Sequence, residues 1–258
     1  MPDTVIVREN SPEEIVSSPV TENLTQACED KVAQLAESVP AGTYDAAQAR
    51  LRRPGLVIQL AIKRLFDIVG SLLLILVLGP ILIGSTLAVA FSSKGPIFFR
   101  QKRWALHEDT FICLKFRSMY TEQHKILHQG TVTELQNKGV LLKVEKDPRV
   151  TPVGKFIRKT SIDELPQLYN VLMGHMSLVG PRPLVTYMLD PFPELRKVRC
   201  LMRPGITGLW QIYDRENNQS ALQMQPYDVR YVQEFNLWMD LVLLLRTPIV
   251  VMRGGGAH

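Results

Sequence analysis

The sequence predicts an α+β, mainly helical fold, in which a re-entrant membrane hairpin of two helices precedes a small interfacial domain with a short β-hairpin. Three observations predict it. Residues 68–91 contain no charged side chain, a run long enough for one helix to cross a bilayer. Gly79-Pro80 interrupts that run at its midpoint, where proline removes a backbone donor and clashes with the carbonyl four residues earlier. Basic residues stand on both sides: Arg50, Arg52, Arg53, Lys63 and Arg64 before, Lys94, Arg100, Lys102 and Arg103 after. A spanning helix is normally positive on one side, whereas a segment that enters and leaves by the same face is positive on both. A proline-kinked spanning helix is the alternative, and a buried helix of a soluble core is a third reading.

The elements follow in order. Residues 1–58 read as a flexible acidic tail. The first 48 residues carry nine acids against Arg8 and Lys31, a net −7 in a chain of +5, which leaves +12 on the remainder. Leu24, Ala27, Val32 and Leu35 admit a short helix over residues 25–38, but the lack of apolar periodicity elsewhere favours a mobile segment. Residues 59–94 form the hairpin and residues 95–258 the interfacial domain. Within that domain, residues 96–100 and 110–116 are extended, joined by a polar turn over 104–109. Residues 121–146 are polar and read as helix plus loop. Residues 161–173 read as a helix with Ile162, Leu165, Leu168, Tyr169 and Leu172 on one face. Residues 231–252 mix Trp238, Leu241, Leu244 and Val250 with Asp240 and Arg246. That segment is apolar enough for a membrane interface and too charged to span; ordinary core packing explains it equally well.

A mean hydropathy of +0.02 excludes a many-span transporter. The basic body suits anionic headgroups of membrane lipid or phosphate-bearing substrates. Nucleic acid is set aside as a partner, because there is no finger spacing, recognition-helix pattern or basic–aromatic strip. Cys28, Cys113 and Cys200 are too few and too scattered for a disulfide framework, which places the working parts in a reducing compartment. Residues 1–10 are polar and acidic, unlike a signal peptide. The five histidines have no zinc-like spacing, and no P-loop, dinucleotide fingerprint or nucleophile elbow is present.

Four clusters carry chemistry-bearing residues. In Lys115-Phe116-Arg117-Ser118-Met119, an extended backbone points Lys115 and Arg117 to one side, a two-cation surface able to hold phosphate; solvated surface charge is the plainer reading. Arg158-Lys159-Thr160-Ser161-Ile162-Asp163-Glu164-Leu165-Pro166 sets two carboxylates after two cations. Ser161 and Glu164 are spaced as a capping box, although Pro166 then falls beyond the free first turn and moves the helix start towards Asp163. The functional reading is a carboxylate nucleophile beside a metal-binding or proton-handling carboxylate. In Gly180-Pro181-Arg182-Pro183, prolines on both sides stiffen the presentation of Arg182. In Pro204-Gly205-Ile206-Thr207-Gly208-Leu209-Trp210-Gln211, the glycines permit close backbone approach, and Trp210 covers a base or fills the core.

Taken in order, these clusters resemble the monotopic phosphoglycosyl transferases, the bacterial sugar-transferase family of polyprenyl-phosphate hexose-1-phosphate transferases. The resemblance runs from Lys63-Arg64-Leu65-Phe66-Asp67 through Gly95-Pro96-Ile97-Phe98-Phe99-Arg100-Gln101, Asp147-Pro148-Arg149 and the four clusters to Leu237-Trp238-Met239-Asp240-Leu241. It implies a re-entrant helix bent near Gly79-Pro80 in the bacterial inner membrane, with the catalytic domain facing the cytoplasm. It implies that Asp163 attacks the sugar-bearing phosphate of a UDP-sugar, releasing UMP, and that undecaprenyl phosphate then takes the phosphosugar. Mg²⁺ on Asp163 and Glu164, phosphate contacts from Lys115, Arg117, Arg158 and Arg182, and substrate contacts from Trp210 and Arg215 are implied as well. A homodimer is left open.

The sequence departs from the family's pattern at two places. His175 stands where an acid is common, which argues against a metal role there. Residues 212–217, Ile-Tyr-Asp-Arg-Glu-Asn, replace a commoner glycine-containing turn. The closing Arg253-Gly254-Gly255-Gly256-Ala257-His258 resembles small exopolysaccharide-initiating members, which implies glucose or galactose as the sugar. Two rival functions remain: a catalytically silent membrane adaptor, and a glycosyltransferase that releases UDP.

Overall fold

Arg53 is extended (φ −62°, ψ 136°), and Pro54 opens a 24-residue helix from its first turn, where a missing N–H costs no hydrogen bond. The computed structural model describes residues 39–121, 149–213 and 221–253, and from Pro40 onward these belong to one unit. Helix α1 is Thr43–Leu51 and α2 is Pro54–Val77. The expected tail boundary at residue 58 therefore falls inside α2. Ala47 and Leu51 are buried, because α1 packs against later helices of the same unit. The short helix expected over residues 25–38, and all but the first residue of the segment 121–146, lie outside the described residues.

Helix α3, Gly79–Ser92, follows α2 at an angle of 64°. Pro80 lies in the first turn of α3, so the chain stops and restarts there rather than kinking within one helix. No single helix among the described residues is long and apolar enough to cross a membrane, but this bent pair passes together. Its polarity is inverted. The buried residues of α2 are Lys63, Asp67 and Ser71, one turn apart on one face, while Leu65, Phe66, Leu72, Leu73, Leu76 and Val77 are exposed. Water would penalise that arrangement and hydrocarbon would not.

Strands β1, Phe98–Trp104, and β2, Thr110–Phe116, form the expected antiparallel hairpin, with Phe98 opposite Phe116 and Trp104 opposite Thr110. The first strand runs four residues beyond the expected one. Helix α4, Pro152–Lys159, is capped by Thr151, whose hydroxyl accepts from the Gly154 N–H at 2.8 Å. The helix expected over residues 161–173 is divided: a 3₁₀ turn covers Ile162–Glu164, and α5 begins only at Gln167 and ends at Leu172. Pro166 explains the division, since it fits only ahead of a new first turn. The capping box does not form either, because Ser161 sits at φ 57° and makes no side-chain cap.

Strands β3, Ser177–Val179, and β4, Gly205–Thr207, pair in parallel. Between them lie α6, Thr186–Leu189, and α7, Pro193–Arg199. Helices α8, Leu209–Tyr213, α9, Ala221–Glu234, and α10, Leu237–Arg253, complete the described chain. Trp238, Leu241, Leu245, Ile249 and Met252 form an exposed apolar stripe on α10 while Leu243 is buried. That helix serves both readings given for its sequence, core on one face and open apolar surface on the other.

Arg117 binds the hairpin to the domain. It is 4% exposed and donates to the carbonyls of Pro96 (2.5 Å), Val89 (2.9 Å) and Ser93 (2.6 Å) around the end of α3. A cation there satisfies acceptors the helix itself leaves open. Replacing Arg117 by Ala is expected to cost about 3 kcal/mol or more of stability in detergent unfolding; a loss below about 1 kcal/mol would show that the clamp is not energetically coupled to folding.

Candidate active site

The site forms where three elements meet: the 3₁₀ turn, the end of β2 and the loop after β3. Ser161 turns the chain through the left-handed region, a conformation that costs about 1–3 kcal/mol in a non-glycine residue and often marks a working site. The next turn places Asp163 inward at 9% exposure. Burial raises the carboxyl pKa of Asp163 above its usual range; Lys115 acts against this, Glu164 adds to it, and Arg158 and Arg182 lower it. Glu164 Oε1 accepts from Lys115 Nζ at 2.7 Å and lies 3.6 Å from Arg182 Nη2. Arg158 Nε donates to Ser118 Oγ at 2.9 Å. Two carboxylates thus face three cations.

Lys115 and Arg117 do not form the shared surface expected of them. Lys115 turns to Glu164, whereas Arg117 turns to the end of α3, since the alternation of β2 ends at Phe116 and both Phe116 and Arg117 are buried. Arg117 is therefore a structural clamp in this arrangement, not a phosphate ligand. Trp210 is 5% exposed, and its ring carries the Arg182 guanidinium 4.8 Å above its centroid. It supports a cation and offers no open face for a base. Arg215 lies outside the described residues.

Gly205 and Gly208 do permit close backbone approach, but to the chain itself. A Cβ on Gly208 would stand 2.2 Å from the Gly180 carbonyl oxygen, and one on Gly205 2.1 Å from the Gly180 nitrogen. These contacts press the two glycine segments together and fix the start of the Arg182 loop.

Three positioning residues escaped sequence reasoning. Arg103 donates to the Pro183 carbonyl and, at 2.7 Å, to Gln101 Oε1. Arg199 donates to the Arg182 carbonyl at 2.5 Å and pairs with Asp228, both side chains 3% exposed. The Arg182 N–H also supports the Asp228 carboxylate, whose pKa burial nonetheless raises to about 6. The peptide of Arg182 is therefore held on both sides. In sequence, an arginine whose donors serve carbonyls looks the same as a solvated one.

His175 stacks on Phe111, centroids 5.8 Å apart. Cys113 and Cys200 are free and buried. Burial raises both thiol pKa values, that of Cys200 to about 11, which makes neither a nucleophile. Among the described residues no group of three or more His, Cys, Asp or Glu side chains could hold a metal. Mg²⁺, however, is commonly held by one or two carboxylates together with substrate phosphates. The pair Asp163 and Glu164 fits an ion shared in that way and does not form a closed cage.

Residues 58–254 match the bacterial sugar transferase family. The chain belongs to that family. It is 41% identical over 195 residues to the galactosyl transferase CpsE of Streptococcus agalactiae, covering 76% of this chain and 43% of that protein. It is 38% identical over 200 residues to the undecaprenyl-phosphate galactose phosphotransferase of Salmonella typhimurium, covering 76% and 42%. It is 38% identical over 199 residues to the exopolysaccharide production protein ExoY of Sinorhizobium fredii, covering 76% and 88%. The chain thus spans less than half the length of the first two relatives and most of the third.

Arg199→Lys keeps a charge for Asp228 and loses the second arm on the Arg182 carbonyl. It is expected to lower kcat/KM by roughly 10- to 100-fold, the scale of a small misplacement at a reacting centre, with little change in Tm. An unchanged kcat/KM would remove Arg199 from the positioning of Arg182.

Proposed function

We propose that the chain transfers hexose-1-phosphate, with glucose or galactose as the sugar, from a UDP-hexose to undecaprenyl phosphate, releasing UMP at the start of exopolysaccharide assembly. The names of the relatives support the reaction class. The observation that carries the reading is a buried Asp163 faced by Lys115, Arg158 and Arg182, beside a hairpin whose exposed surface is apolar.

Ionised Asp163 attacks the sugar-bearing phosphorus, the bond to the bridging oxygen breaks, and UMP departs with that electron pair. The carboxylate now carries the phosphosugar. The phosphate oxygen of undecaprenyl phosphate attacks the same phosphorus, the bond to Asp163 breaks, and the carboxylate is regenerated. Dividing the transfer in this way lets one site serve two substrates in turn. Phosphoryl transfer depends chiefly on alignment and charge neutralisation; Arg182, stacked on Trp210, and Arg158, held by Ser118, are the aligned cations. Lys115 pairs with Glu164 at 2.7 Å beside the nucleophile. Bound Mg²⁺, held by Asp163 and Glu164, would supply further neutralisation of the diphosphate. The bent apolar pair enters and leaves by the cytoplasmic face of the inner membrane, with the stripe of α10 at the interface. The charges that reach the surface beside it are Arg52 and Arg53 before and Lys94, Arg100 and Lys102 after, so both flanks suit anionic headgroups.

Nucleotide release from a panel of UDP-hexoses, with undecaprenyl phosphate and Mg²⁺, tests the reaction. UMP is expected from the wild type, and Asp163→Asn is expected to lose activity by on the order of 10⁴ or more. UDP release would make the chain a glycosyltransferase, and no product from any donor would favour the adaptor.

The raised Asp163 pKa has a signed consequence. The carboxyl is protonated and inert below that pKa, so kcat/KM is expected to rise with pH along a limb above the usual value of about 3.9. A carboxyl whose folded-state pKa is raised stabilises the fold most while protonated, and that contribution is lost as pH rises through the folded pKa. Asp163→Asn is therefore expected to leave Tm at neutral pH unchanged or higher. A clear fall in Tm would show that the carboxylate holds the turn together.

A further inference from the structure

A groove of about 310 Å³ runs from Glu164 and Arg182 to the break of the hairpin. We propose that it receives the isoprene units nearest the phosphate of the polyprenyl acceptor. This rests on the reaction proposed above and assigns a place to the acceptor's chain. The groove is lined by Leu78 and Ile81 at the break and by Leu244 and Val251 of α10. Leu165, two residues from Asp163, lines it near the charged end. The groove thus joins a lipid-facing surface to the acid and cation cluster.

The threonines along it spend their hydroxyl protons on protein acceptors. The hydroxyls of Thr207 and Thr247 bond each other at 2.9 Å, and Thr247 also donates to the Leu243 carbonyl at 2.7 Å. Thr160 donates to the Phe156 carbonyl at 2.9 Å. A hydroxyl-rich ligand would find few donors there for its own oxygens, whereas a hydrocarbon chain needs none. Gln211 is the exception, with Oε1 buried and unpaired among the described residues. At the charged end, Arg182 complements an anionic head.

Size limits the occupant. The groove lies at the lower end of the roughly 300–1,000 Å³ typical of small-molecule sites, so it takes a few isoprene units and not a whole polyprenyl chain. The remainder of the chain lies outside, against the exposed apolar surface of α2 and α3. A phospholipid acyl chain is the competing occupant. It lacks methyl branches, and it carries its phosphate beyond a glycerol and an ester rather than directly on the chain.

The test uses the full chain in detergent and the variant Val251→Trp, which narrows the groove away from the reacting groups. The KM for undecaprenyl phosphate is expected to rise roughly tenfold or more, and likewise for farnesyl phosphate. An acceptor of a single isoprene unit should be unaffected, and the single-turnover burst of UMP from UDP-hexose without acceptor should be unchanged. A weakened burst, an unchanged KM for the long acceptors, or an equal penalty for all three acceptors would overturn the assignment. A diazirine-bearing farnesyl phosphate provides a readout independent of turnover. It should label peptides containing Leu78 and Leu244, lose that label in Val251→Trp, and be displaced by undecaprenyl phosphate but not by phosphatidylglycerol. Labelling elsewhere, or equal displacement by the phospholipid, would overturn the groove. If the wild type releases no UMP, the reaction fails, while the labelling still decides whether the groove takes a prenyl phosphate.

Discussion

The fold depends on the polar stripe buried along α2. Asp67 Oδ1 accepts from Ser177 Oγ at 2.9 Å and from the Leu178 N–H at 2.8 Å. One turn earlier, Lys63 Nζ donates to the Val179 carbonyl at 2.8 Å and to Asp240 Oδ2 at 2.5 Å, and the Tyr231 hydroxyl donates to Asp240 Oδ1 at 2.7 Å. A buried ion pair of this kind contributes little net stability, because desolvation offsets attraction. Breaking it leaves a charge unpaired, so the network fixes orientation. A rotation of α2 about its axis would bury apolar side chains well enough, but would strand Lys63 and Asp67. The helix can therefore face β3 in one way only, and its apolar sides are left outward.

That orientation reaches the active site in a few residues. Strand β3 ends at Val179 and runs directly into Gly180, whose backbone is pressed against Gly205 and Gly208. Arg182 follows, its peptide held by Arg199 and Asp228 and its guanidinium lying on Trp210. On the other side of the site, Arg117 closes the end of α3 two residues after Lys115. Both arms of the hairpin are thus tied to backbone that presents a cation to Glu164. The bend and the site share one rigid frame.

Much of this was legible in the sequence because local rules decided it. The break follows from Gly79-Pro80 and the β-hairpin from two extended runs around a polar turn, whereas Asp163 was singled out by the family resemblance, its local pattern reading equally as a helix start. What escaped was decided by tertiary contacts. Arg103, Arg117 and Arg199 spend their donors on carbonyls, and nothing in local pattern separates such an arginine from a solvated one. Pro166 divided a helix whose apolar period was intact, so steric exclusion outweighed periodicity. The basic flanks were only partly informative, since Lys63 and Arg64 are occupied by protein acceptors and the charges left for a membrane surface are fewer than the sequence count.

In the proposed reaction, the electrostatics of the cluster explain why it holds two carboxylates when one attacks. Three cations against Asp163 and Glu164 leave a single net positive charge, too little for the two ionised phosphates of a nucleotide sugar. Glu164 already occupies Lys115 and draws on Arg182, so an arriving diphosphate competes with it for the same donors. A divalent ion on the carboxylate pair would change that balance, turning a competitor for cations into a ligand. Burial works in the same direction: a desolvated Asp163 is a poor place for an isolated negative charge and, in the proposed attack, a better one for an electron pair about to be shared with phosphorus.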